Sequence, residues 1–208
     1  MIKTTSYDQT EILTAIMELH NNGEMFDCDV TFGNGGFYKR MASRPGLRFD
    51  IHEGLADTIT ASSTNIPVIN DALKSVVFDP PFLCYVKASK PGARNENGGM
   101  VMADKFSGYW RYNELEEHYR QTFADVARVL RDKGIMILKC QDIIHNHALK
   151  PTHILATVWA AEVGFRLLDM FILNAKHRMP QPKVNGQRPK QKHARVYHSY
   201  FMVFKVTK

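Results

Sequence analysis

The chain has 208 residues, 44% hydrophobic and 23% charged, which suits one folded domain with a full-sized core and excludes a disordered or fibrous chain. No stretch approaches the roughly 20 apolar residues of a membrane span. The opening Met1-Ile2-Lys3-Thr4-Thr5-Ser6 lacks the apolar run of a secretion signal, so cytoplasmic residence is the expectation. The net charge is +6, and seven cations (Lys176, Arg178, Lys183, Arg188, Lys190, Lys192 and Arg195) fall in residues 176–195, which hold no Asp or Glu. Without them the chain carries −1, so a basic loop sits on a near-neutral body. Such a loop is either a polyanion contact or a solvated surface segment.

In chain order, residues 8–22 read as an amphipathic helix, with Ile12, Leu13, Ile16, Met17 and Leu19 at helical spacing and Asn22-Gly23 as a stop. A short strand over 26–32 runs into Gly33-Asn34-Gly35-Gly36, with a helix expected to follow. Residues 47–51 form a second strand and 75–78 a buried one that ends at Asp79. Residues 84–110 contain Pro91, Gly92, Gly98, Gly99 and Gly108 with little periodicity, and a loop of that length is usually functional or disordered. Residues 112–132 form a helix lined by Leu115, Tyr119, Phe123, Val126, Val129 and Leu130, and 135–138 a fully buried strand. A helix over 151–163 starts at Pro151. Strands over 165–173 and 196–206 flank the basic loop. The alternation of strands and helices predicts an α/β fold with a largely parallel sheet covered on both faces. The last two strands, joined only by a loop, are expected to be antiparallel. No repeat and no second domain is visible, so residues 1–208 are read as a single domain.

Three features carry chemistry. Strand 26–32 feeds a glycine turn whose Gly33 and Gly35 would let a ligand approach the backbone closely. A plain strand-to-helix turn is the alternative, and Tyr38 stands where the dinucleotide pattern G-x-G-x-x-G needs its third glycine. Next, Val76-Val77-Phe78-Asp79-Pro80-Pro81-Phe82 combines a buried strand, a carboxylate, two prolines and an aromatic. The prolines end strand pairing and stiffen the turn, which fixes Asp79 at the carboxyl end where open α/β sheets bind ligands. Third, Asp50 ends the second strand. Taken alone it is a solvent-facing strand end, but a carboxylate there can also accept both hydroxyls of a ribose.

Asp29-Val30-Thr31-Phe32-Gly33-Asn34-Gly35 followed by Asp79-Pro80-Pro81-Phe82 resembles the cofactor loop and catalytic motif of amino-group DNA methyltransferases, in their gamma-type order. The resemblance covers nearly the whole chain. Residues 127–134 are similar to the helix before the fifth strand, and Gly164-Phe165 and residues 198–205 to the last two strands. Small, solitary phage-type adenine methyltransferases are the most similar group. The resemblance implies a three-layer, Rossmann-like class I methyltransferase fold with a seven-stranded, mostly parallel sheet whose last strand is antiparallel. It implies S-adenosyl-L-methionine as cofactor, held by Asp29, Thr31, Gly33, Asn34, Gly35, Asp50, Ile51 and Ser62. Asp29 would lie near the methionine amino group and Asp50 on the ribose. The family often has an acid near the cofactor adenine, and Ser62 stands at that place, which is a departure.

The implied reaction is methylation of the exocyclic N6 amine of adenine in DNA. That nitrogen is a poor nucleophile because its lone pair is delocalised into the ring. Asp79 and the Pro80 carbonyl would each accept one N–H, Pro81 would hold them still, and Phe82 would stack on the flipped base. The 84–110 segment would serve as a lid, with Tyr109 and Trp110 either stacking on the base or simply packing. Lys183, Arg188, Lys190, Lys192 and Arg195 would hold phosphates. RNA methylation at adenine N6 or guanine N2, cytosine N4 methylation, and a non-catalytic nucleic-acid-binding subunit are the alternatives. The spacing of Cys28, Cys84 and Cys140 gives neither a disulfide framework nor a zinc site, and no metal is expected. DNA is the expected partner, RNA a possible one, and the chain a monomer or homodimer. His145-Asn146-His147 spells a nuclease motif, but nothing in the pattern suggests the metal-holding hairpin that motif needs. These residues read as the polar start of a helix.

Overall fold

The computed structural model describes residues 1–84, 107–109, 111–176 and 190–208. Its main sheet has eight strands, in the order β1 (Thr5–Ser6), β11 (Phe165–Asn174), β12 (His198–Val206), β8 (Leu130–Cys140), β5 (Leu73–Phe78), β2 (Cys28–Asp29), β3 (Leu47–Asp50) and β4 (Ile59–Thr60). β12 pairs antiparallel with both β11 and β8. The other five pairings are parallel. The eighth strand, beyond the seven expected, is the two-residue β1, which continues the edge through Thr5↔Ile172 and Ser6↔Leu173.

Side chains on β5 and β8 alternate between two cores, as the two-residue period of a strand requires. Val76, Phe78, Met136 and Leu138 pack with Met202 and Phe204 against one helical layer. Val77, Ile135 and Ile137 pack with Phe201 and Val203 against the other. Both faces being covered is why these strands read as unbroken apolar runs. On the second face lies α1 (Gln9–His20), which buries Ile12, Leu13 and Ile16. Its start is set by Asp8, whose carboxylate accepts the Thr10 N–H at 2.9 Å. The first face is covered by α2 (Tyr112–Val129), with Leu115, Tyr119, Phe123 and Val126 buried at helical spacing, and by α3 (Thr152–Ala161).

Several expectations change. α2 ends at Val129 and not at residue 132, because Leu130 already pairs with Leu73 on β5. Lys133 then takes φ +63° in the register shift that realigns Ser75 with Ile135. The strand expected over 26–32 shortens to Cys28–Asp29, because the Asp29 carboxylate accepts the Thr31 N–H and bends the chain. The helix expected after the glycine turn is a single 3₁₀ turn, Gly36–Tyr38. Pro45 follows soon after and disfavours helical backbone at the residue before it.

The largest change is at His145-Asn146-His147. Asn146 and His147, with φ of +49° and +58°, form the two-residue turn of a hairpin between β9 (Ile143–His145) and β10 (Ala148–Lys150). Two consecutive left-handed residues suit the right-handed twist of paired strands. The hairpin is thus present, contrary to the sequence reading, which took these residues as the start of a helix, while α3 follows close to the expected 151–163. Among the described residues no cluster of three or more His, Cys, Asp or Glu is placed to hold a metal ion. Nor is any helix among them long and apolar enough to cross a membrane. Cys28, Cys84 and Cys140 are free thiols.

Candidate active site

β3 and β5 flank β2 on opposite sides, so the direction of strand addition reverses at β2, and ligands bind at the carboxyl ends beside such a switch. The chain puts Asp29, Asp50, Asp79 and Lys139 there, on the ends of β2, β3, β5 and β8. Asp29 is fully buried beneath the glycine turn. Its Oδ1 accepts from the Thr31 N–H at 2.8 Å and the Thr31 hydroxyl at 3.3 Å, and its Oδ2 accepts from the Tyr38 hydroxyl at 2.8 Å. Burial pushes the carboxyl up to about 7, against the pull of those hydrogen bonds. Both oxygens of Asp29 therefore organise the turn.

Thr31 also links the two motifs, because its Oγ1 accepts the Asp79 N–H at 2.7 Å. The prolines leave Asp79 at the mouth, with Pro80 buried and Pro81 and Phe82 half-buried. Asp79 Oδ2 lies 3.6 Å from Lys139 Nζ, and its side chain is 23% exposed. Burial raises its carboxyl above the usual range, and Lys139 opposes that rise.

The second half of the site is the turn itself. Gly33 and Gly35 have φ of +57° and +74°. The Gly33 N–H donates to Asp50 Oδ2 at 2.8 Å, while Asp50 Oδ1 accepts from the His52 N–H at 2.9 Å and pairs with His52 Nδ1 at 2.7 Å. A carboxylate has about four acceptor positions, so Asp50 retains capacity toward the mouth. Asn34 is exposed on the turn, and Ile51 next to Asp50 is 68% exposed, an apolar side chain left uncovered at the strand ends. Ser62 is half-buried and pairs with Thr64, just after Ala61 N–H meets the Asp50 carbonyl at 2.9 Å. We expect Gly35→Ala to lower stability by about 1–2 kcal/mol through the left-handed backbone alone. An added Cβ would also come within 2.9 Å of the Phe32 ring. Urea unfolding measures this, and an unchanged midpoint would show that the turn does not need a glycine there.

A cleft of about 650 Å³ is lined by Lys139, the partner of Asp79, and among others by Phe37, Arg40, Phe82, Gln141 and His198. Tyr109 is not on it. On β7 (Ser107–Tyr109), which pairs with β6 (Leu83–Cys84), Tyr109 is buried in the core and its hydroxyl bonds His118 Nδ1. His118 Nε2 in turn meets Ser63 Oγ at 2.7 Å, and burial holds the imidazole down at about 4. Lys190, Lys192 and Arg195 are exposed on the approach to β12. Trp110, Lys183, Arg188 and most of the 84–110 segment lie outside the described residues.

Sequence reasoning did not reach Lys139, Gln9, Phe37 or Tyr38. A cation directly after Ile135-Met136-Ile137-Leu138 was the available signal for Lys139, since a charge in a buried strand requires a partner. Nothing local marks the other three.

No protein-family model matches the chain, and no curated protein matches it. Solved structures do. The N-methyltransferase NodS from Bradyrhizobium japonicum WM9 is 8% identical and aligns over 96% of this chain and 97% of its own, with a TM-score of 0.54. A candidate sarcosine dimethylglycine methyltransferase from Galdieria sulphuraria is 14% identical over 95% of this chain and 84% of its own, also at 0.54. A candidate DNA modification methylase from Thermus thermophilus, solved with S-adenosyl-L-methionine, is 15% identical over 68% of this chain, with a TM-score of 0.42. This chain spans about half the length of that one, 51%. The fold is that of the class I methyltransferases.

Proposed function

We propose that this protein transfers the methyl group of S-adenosyl-L-methionine to the exocyclic N6 amine of adenine in DNA. The observation that carries the reading is Asp79-Pro80, held at the carboxyl end of β5 and tied through Thr31 to the glycine turn. The residues around that turn fit the cofactor. Two left-handed glycines keep the backbone bare, Asp50 offers a carboxylate for ribose hydroxyls, and exposed Ile51 offers an apolar surface for an adenine ring. When bound, the cofactor supplies a sulfonium-activated methyl group.

The protein's task is then to present the amine. Asp79 accepts one N–H and the Pro80 carbonyl accepts the other, which draws the nitrogen lone pair out of the ring plane. The two prolines and the Thr31 contact fix both acceptors before the base arrives, so little reorganisation is needed. Phe82, at the edge of the cleft, stacks on the base. Flipping the base out of a duplex costs a few kcal/mol, which phosphate contacts offset.

Incubating the protein with radiolabelled S-adenosyl-L-methionine and separate duplex DNA, single-stranded DNA and RNA, then identifying the labelled nucleoside, tests the reading. Labelled N6-methyladenine from DNA is expected. Label found only in RNA, or on another base, would contradict it. The exposed Lys190 and Lys192 are proposed phosphate contacts. Replacing both by Ala should lower the slope of log affinity against log salt by about two, one per lost contact. An unchanged slope would remove them from the DNA surface.

A further inference from the structure

Lys139 is a cation enclosed directly after the buried apolar run Ile135–Leu138 of β8. Its side chain is 14% exposed. Its Nζ lies 3.6 Å from Asp79 Oδ2, donates to Gln9 Oε1 at 3.0 Å, and sits 5.1 and 5.5 Å from the ring centroids of Phe37 and Phe201. Gln9 is itself fixed, since its Nε2 donates to the Phe37 carbonyl at 2.8 Å. Four parts of the fold (the start of α1, the glycine turn, the end of β5 and β12) thus converge on one ammonium carried by β8. A lysine near a surface normally extends its charge to water. Here it is turned inward, at a desolvation cost that only a matched carboxylate and ring faces can offset.

The rest of the surroundings explain why a cation is needed. Burial is the largest effect raising the Asp79 carboxyl, and Lys139 on β8 opposes it. The charge of Asp79 in turn pushes up Asp29 on β2, Tyr38 on the turn, Tyr119 on α2 and Cys140 on β8. Asp29, Tyr38, Tyr119 and Cys140 are neutral or negative. Among the described residues Lys139 is the group that favours the charged form of Asp79. A protonated Asp79 would present an O–H donor where the amine needs an acceptor.

Building on the methyl-transfer reading above, we propose that Lys139 is a positioning residue that keeps Asp79 ionised and aimed at the base, with Gln9 and the two aromatic rings fixing the ammonium. In this role Lys139 acts through Asp79 and not on the transferred group.

The test is K139M, which keeps the length and removes the charge, alongside K139R and Q9L, with thermal unfolding followed for each. Carboxyl NMR of the carbon-13-labelled protein, with the Asp79 signal assigned by its loss in D79N, reads the ionisation without any assay of turnover. The Asp79 midpoint should rise by about one pH unit or more in K139M, stay within about half a unit in K139R, and rise by a smaller amount in Q9L. The acid limb of the methylation rate should move up in pH by the same amount. That leaves K139M about tenfold slower below the wild-type midpoint and largely recovered above the new one. An unmoved midpoint in folded K139M overturns the proposal; if K139M does not fold, an unmoved midpoint in Q9L does so. A midpoint that shifts as expected in a protein that methylates nothing upholds the pair and counts against the methyl-transfer reading instead.

Discussion

Replacing Asp79 by Ala should slow methyl transfer by at least about 10²–10³-fold, or about 2.7–4 kcal/mol of barrier, the usual effect of deleting one preorganised acceptor or donor at a reacting centre. The fold should survive. The bond that ties this turn to the rest of the site runs from the Asp79 backbone N–H to Thr31 Oγ1, so Ala retains it. Removing a carboxylate held against its burial also relieves a cost, though it leaves Lys139 without its partner. Cofactor affinity should change little, because Asp29, Gly33 and Asp50 lie on other strand ends or the turn. Rates at saturating cofactor, with calorimetry for affinity, separate these effects. Activity within tenfold of wild type would remove Asp79 from the reaction.

The second large effect is expected at Asp50 and has the opposite signature. Asp50→Ala deletes an acceptor for a ribose hydroxyl and leaves the Gly33 N–H without its 2.8 Å partner. A charge-assisted hydrogen bond contributes about 1.5–3 kcal/mol, so affinity for S-adenosyl-L-methionine should fall at least about tenfold. The rate at saturating cofactor should stay near wild type, since Asp50 reaches no reacting atom. A variant that bound cofactor normally would show that the ribose sits elsewhere.

How much of this was legible in the sequence depends on the range of the interaction. Val76-Val77-Phe78 and Ile135-Met136-Ile137-Leu138 announced central strands because burial on both faces leaves an unbroken apolar run. Asp79-Pro80-Pro81-Phe82 was legible because prolines act on their own neighbours. The helix faces of α1 and α2 followed from spacing alone. Short elements made by partners did not. β1 is two polar residues that become a strand only beside Ile172 and Leu173. The β9–β10 turn uses Asn146 and His147 in left-handed backbone, and although both residue types are enriched there, that conformation is uncommon for either, so the pair is a weak turn signal by itself. Gln9 meets Lys139 across 130 residues of sequence. Tyr109 shows the same limit from the other side: an aromatic can stack on a base or pack in a core, and here burial against His118 places it in the core.

Base-resolved mapping of plasmid DNA reads out whether Asp79 and Pro80 present an adenine amine for methylation. The plasmid is propagated in a host without DNA methylation, once with the wild-type chain and once with the Asp79→Ala variant. N6-methyladenine is expected with the former and none above background with the latter. DNA without methylated adenine in both, or methylated equally by both, would contradict it.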